Sequence, residues 1–81
     1  MRVLKFSASW CNPCKMLDKQ LDSLGYLVEQ VDVETEEGKK LAQDYGVRRI
    51  PTLIAVGNDG FMLDSISGSL TNNELHVFFN K

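Results

Sequence analysis

At Pro13 the apolar residues of the chain change period, and that change dictates how its first half can fold. Before it, Arg2 to Phe6 ("RVLKF") predicts a short strand. After it, Cys14, Leu17, Leu21 and Leu24 recur at helical spacing, with Lys15, Asp18, Lys19 and Asp22 on other faces. Pro13 itself belongs in the first turn of a helix, where its missing N–H is not needed. Gly25 supplies a stop. Tyr26 to Val33 ("YLVEQVDV") is rich in β-branched and aromatic residues and predicts a second strand. A strand-helix-strand unit demands parallel strands joined by a right-handed crossover.

The second half has its own local signals. Glu34 to Tyr45 opens acidic and continues "KKLAQDY", an order that suits the macrodipole of a second helix closed by Gly46. Ile50 to Val56 predicts a third strand. Gly57 to Gly60 ("GNDG") is hairpin chemistry leading into a fourth strand over Phe61 to Ser67. Thr71, with Glu74 three residues on, forms a capping box for a C-terminal helix. The predicted order is β-α-β-α-β-β-α. It gives an α/β fold with a mixed four-stranded sheet flanked by three helices, in one domain over residues 1–81.

Composition removes several function classes. A hydrophobic content of 43 % argues against disorder, and a net charge of −2 gives no reason to expect nucleic acid or an anionic membrane as partner. The apolar runs are too short to span a bilayer. The N-terminal residues lack the apolar core of a signal peptide, so a cytoplasmic protein is expected. A monomer is the expected state.

Cys11 and Cys14 are the two cysteines, spaced C-x-x-C. A disulfide staple across so short a loop constrains the unfolded chain little and is rare in reducing cytosol. A structural zinc ion wants about four ligands, and only His76, expected to be solvated on a surface helix, is left to join the pair. No metal or other cofactor is expected beyond the redox-active pair itself. Redox chemistry fits the placement. Unsatisfied N–H groups and the positive end of a helix dipole surround Cys11 and favour its thiolate. That thiolate can attack a substrate disulfide, and Cys14, one turn further on, can resolve the mixed disulfide.

Trp10-Cys11-Asn12-Pro13-Cys14-Lys15 resembles the thioredoxin active site, whose usual form is W-C-G-P-C-K. "YGVRRIPTL" (Tyr45 to Leu53) resembles that family's segment around its cis-proline, and "SGSLTNNELHVFF" its closing glycine and last helix. The strand and helix with which ordinary thioredoxins begin have no counterpart here, an economy similar to that of glutaredoxins. The resemblance implies that Cys11 is the nucleophile and Cys14 the resolving thiol. It also implies that Trp10 covers the site and walls a substrate groove. Pro51 would be cis and face the cysteines, with the Ile50 backbone pairing with substrate, and Gly68 would leave room for substrate to approach.

Three departures from the family pattern stand out. Six residues before the first cysteine, where thioredoxins carry a buried aspartate, this chain has Lys5; the family's accompanying lysine falls on Gln30. In place of that carboxylate, which the family uses to take the proton of the resolving thiol, either water or another group does the work or Lys5 acts on Cys14 as a nearby cation. The plainer alternative is that Lys5 snorkels out to Glu29 or solvent. Asn12 replaces a glycine at the helix entrance, where Asn suits local backbone hydrogen bonds. Arg48 and Arg49 precede Ile50-Pro51 where glycine is usual. With Lys15 and Lys19 they suggest a basic rim that selects an acidic partner segment or the carboxylates of glutathione.

The leading functional reading is a dithiol–disulfide oxidoreductase that reduces a protein disulfide, with ribonucleotide reductase one partner the resemblance allows. Its electrons would come from a thioredoxin-reductase-type flavoenzyme. The alternatives are a glutaredoxin-like enzyme drawing on glutathione, and a thioredoxin-fold binding module with idle cysteines.

Overall fold

The computed structural model describes residues 1–80. Its elements are β1 (Arg2–Ser7), α1 (Asn12–Leu24), β2 (Glu29–Asp32), α2 (Glu36–Asp44), β3 (Thr52–Val56), β4 (Met62–Ser67) and α3 (Asn72–Phe79). The strands lie in the order β2-β1-β3-β4. β1 runs parallel to β2 and antiparallel to β3, and β4 returns antiparallel beside β3. The predicted order and mixed sheet are therefore those observed.

Alternation along β1 distributes its side chains to two cores. Val3 packs with Leu17 and Leu21 of α1 and with Leu75 and Phe78 of α3. Leu4 and Phe6 point the other way, toward Val31 and Ile54, with Ala42 and Tyr45 closing over them. Hence α1 and α3 cover one face of the sheet and α2 the other. Each fully buried Leu or Phe contributes about 1.5–3 kcal/mol. By the same alternation Lys5 shares the face of Val3, beneath α1.

Several boundaries differ from expectation. The second strand begins at Glu29 and not at Tyr26. Tyr26 is drawn away to α3, where its ring stacks on Phe79 at 4.2 Å and its hydroxyl lies 2.5 Å from His76 Nδ1. His76 is thus tied to Tyr26 and not simply solvated. α2 starts at Glu36 with Thr35 as its cap, the Thr35 hydroxyl accepting the Gly38 N–H at 2.9 Å. Ile50 and Pro51 precede β3, which starts at Thr52, and β4 starts one residue later than Phe61. The capping box at Thr71 and Glu74 is present as expected.

Gly38, inside α2, is buried against the end of β2. A Cβ built there would lie 1.8 Å from the Asp32 carbonyl oxygen. The helix rests on the strand through this missing side chain.

Candidate active site

Cys11 is the N-cap of α1, in extended conformation, and its Sγ accepts the Cys14 N–H at 3.2 Å. One orphan donor of the helix start is therefore satisfied by sulfur, the position at which the dipole favours negative charge. Asn12 and Pro13 form the first turn, where the proline costs no hydrogen bond. The two sulfurs are joined in a disulfide, with Cα atoms 5.3 Å apart. Both cysteines are buried, packed with Ala8 and flanked by Val33 and Ile50.

Phe6 pairs with Thr52, so the end of β1 and the start of β3 lie side by side. That pairing brings the cysteine turn and the Ile50-Pro51 segment to one end of the sheet. The Ile50-Pro51 peptide is cis and Pro51 is buried. The Pro51 carbonyl accepts the Gly68 N–H at 3.0 Å. Gly68 has φ +92°, which favours glycine, and a Cβ there would meet nothing within 4 Å. It opens onto a depression of about 180 Å³ shared with Pro13 and Met16. Trp10 is 68 % exposed, so it is not a core residue.

Arg48 and Arg49 line depressions of about 330 and 230 Å³, the smaller reaching Ile50. Lys15 lines a further cavity that Cys14 also borders.

Lys5 does not snorkel to Glu29 or solvent. Glu29 is taken by Arg2, whose Nε and Nη2 donate to its two oxygens at 2.6 and 2.7 Å. Those bonds hold the Glu29 carboxyl below its ordinary range. Lys5 is fully buried, and its Nζ lies 3.1 Å from Asp18 Oδ1 and 3.3 Å from Gln30 Oε1. Asp18, predicted only to sit off the apolar face of its helix, is therefore the partner of a buried cation. Glu34 is a second residue the sequence does not disclose. Its Oε1 accepts the Ser9 N–H and hydroxyl at 3.3 and 3.0 Å, tethering the turn that carries Trp10.

Among the described residues no cluster of three or more His, Cys, Asp or Glu is arranged to hold a metal, and no helix is long and apolar enough to cross a membrane. The chemistry on offer is that of two sulfurs, cycling between dithiol and disulfide.

Residues 1–81 match the family model described as Thioredoxin. The chain is 34% identical over 83 residues to a thioredoxin of Haemophilus influenzae, an alignment covering 98% of this chain and 77% of that one. It is 34% identical over 77 residues to thioredoxin 1 of Synechococcus elongatus, covering 90% and 71%. Among solved structures it is similar to a mutant thioredoxin from Halobacterium salinarum, with TM-score 0.78 and 32% identity over 94% of this chain and 68% of that one. The sulfur pair at the helix start is thus a working dithiol–disulfide couple, and the chain is an oxidoreductase. It belongs to the thioredoxin family.

Proposed function

We propose that this chain reduces protein disulfides in the cytoplasm, as a single-domain monomer, with electrons from a thioredoxin-reductase-type flavoenzyme. Cys11 attacks the substrate disulfide, and Cys14 resolves the mixed disulfide and leaves the Cys11–Cys14 bond behind. The observation that carries the reading is the Cys11 Sγ at the N-cap, accepting the Cys14 N–H. Negative charge on that sulfur is stabilised where an attacking thiolate needs it. Trp10, Ile50, cis-Pro51 and Gly68 form the face on which substrate lies, the Ile50 backbone being outside β3 and available for strand-like pairing.

The electron source is tested on the disulfide form. A thioredoxin-reductase-type flavoenzyme with NADPH is expected to reduce it faster than glutathione does. Reduction by glutathione alone, with no response to the flavoenzyme, would assign the chain to glutaredoxin-like chemistry.

Arg48 and Arg49, beside Ile50, favour acidic segments around the substrate disulfide. Replacing both with Ser is expected to raise KM for an acidic peptide disulfide about threefold to tenfold, at the scale of two exposed ion pairs. The salt dependence should flatten with it. Undiminished rates on every substrate would remove the arginines from recognition.

A further inference from the structure

Lys5 is the only charged side chain buried among the described residues. Three elements are built around it. Lys5 on β1 meets Asp18 Oδ1 from α1 at 3.1 Å and Gln30 Oε1 beside it on β2 at 3.3 Å. Gln30 Nε2 closes the triangle by donating to the same Asp18 oxygen at 2.9 Å. Stability does not account for such a cluster, because apolar residues of similar volume commonly replace a buried ion pair without loss.

The cluster opens onto a cavity of about 340 Å³ that Cys14 also lines. The other charged groups facing that cavity are Lys15 from α1 and Asp32 from β2. Asp18 stands one helical turn after Cys14, at i and i+4 on the same face. Its two bonds both fall on Oδ1, and Oδ2 takes part in neither. Asp32 is otherwise engaged, its Oδ1 accepting the Glu34 N–H at 2.8 Å.

We infer that Asp18 is the proton acceptor for Cys14, and that Lys5 is the positioning residue that makes the transfer feasible inside the protein. The inference rests on the reading of Cys14 as the resolving thiol. In the step, the Cys14 S–H bond breaks and its proton passes to the Asp18 carboxylate. The freed sulfur pair attacks Cys11 Sγ and forms the Cys11–Cys14 bond. The bond between Cys11 and the substrate sulfur breaks, and substrate leaves as a thiolate that takes a proton from water. Two electrons have then passed from the dithiol to the substrate disulfide.

The charge arrangement explains the buried ammonium. Before transfer the negative charge sits on Asp18, and after it on Cys14. The Lys5 cation faces the same cavity in both states, so no net charge is created in the interior. The half-exposed Asp18, 42% accessible at its side chain, then returns the proton to solvent.

The two sulfur steps separate in a stopped-flow reaction of the reduced chain with 5,5′-dithiobis(2-nitrobenzoate). The first aryl thiolate reports attack by Cys11, and the second reports resolution by Cys14. Asp18→Asn is expected to slow the second release on the order of 10²-fold at neutral pH, the usual worth of a general base, while the first release holds its rate. The deficit should shrink as pH rises and hydroxide takes the proton. Asp18→Glu should restore the second release. Lys5→Met should slow that same step in the folded chain while the first release holds its rate, an outcome that a purely structural lysine would not give. A second release in Asp18→Asn with the rate and pH profile of the unsubstituted chain would overturn the inference and leave the oxidoreductase reading intact. Absence of the first release in the unsubstituted chain would sink the nucleophile assignment, and the relay with it.

Discussion

Cys11→Ser is expected to lower protein-disulfide reduction on the order of 10⁴-fold or more, the scale seen when a nucleophile is removed from a site that acts as a unit. The hydroxyl is far less acidic and far less nucleophilic toward sulfur than a thiol, and the N-cap position does not make up the difference. Cys14→Ser should behave differently. Attack by Cys11 survives, but no sulfur is left to displace the substrate, so a covalent adduct accumulates on Cys11. Insulin reduction checks the first outcome, and mass spectrometry of the intact chain after mixing with substrate checks the second. A double Cys11→Ser, Cys14→Ser variant that kept full biological function would point instead to a binding module whose cysteines are idle.

Gly38→Ala should be the most damaging single-methyl change in the fold. By helix propensity alone it would stabilise α2 by up to ~1 kcal/mol. Packing reverses the sign. The new Cβ would fall 1.8 Å from the Asp32 carbonyl oxygen, a backbone atom that also accepts from the Thr35 hydroxyl and N–H at 2.9 and 3.2 Å. Neither helix nor strand can yield cheaply, and overpacking of this kind costs about 1–3 kcal/mol. A net loss of ~2 kcal/mol corresponds to a melting temperature lower by about 10 °C in a domain of this size. Thermal unfolding followed by circular dichroism measures it. A raised melting temperature would mean that propensity outweighs the close approach. The change also tests the site, because Glu34, which tethers Ser9, lies between Asp32 and α2.

What was legible in the sequence was whatever depends on neighbours along the chain. Pro13 located the start of α1, Thr71 and Glu74 the start of α3, and Gly57 to Gly60 the hairpin. The cysteine pair announced its chemistry through its place at a helix start. What was hidden depends on partners brought close only by folding. Tyr26 has strand propensity, yet α3 draws it out of the sheet from 50 residues away. Lys5 carried two readings because nothing local says that Asp18 and Gln30 converge on it. Gly38 carries no local signal of its role, because its reason is the backbone of β2. Long-range packing and polar pairing decided each of these cases.

The antiparallel register of β1 against β3 has a practical side. Arg2 pairs with Val56 at one end of the sheet and Phe6 with Thr52 at the other. The Gly57–Gly60 turn therefore sits at the pole opposite the sulfurs, a strand's length of roughly 17–20 Å away. An affinity handle or fluorophore grafted at that exposed tip would hang clear of any docked client, so the turn is the natural point for immobilising the molecule with its reactive end outward.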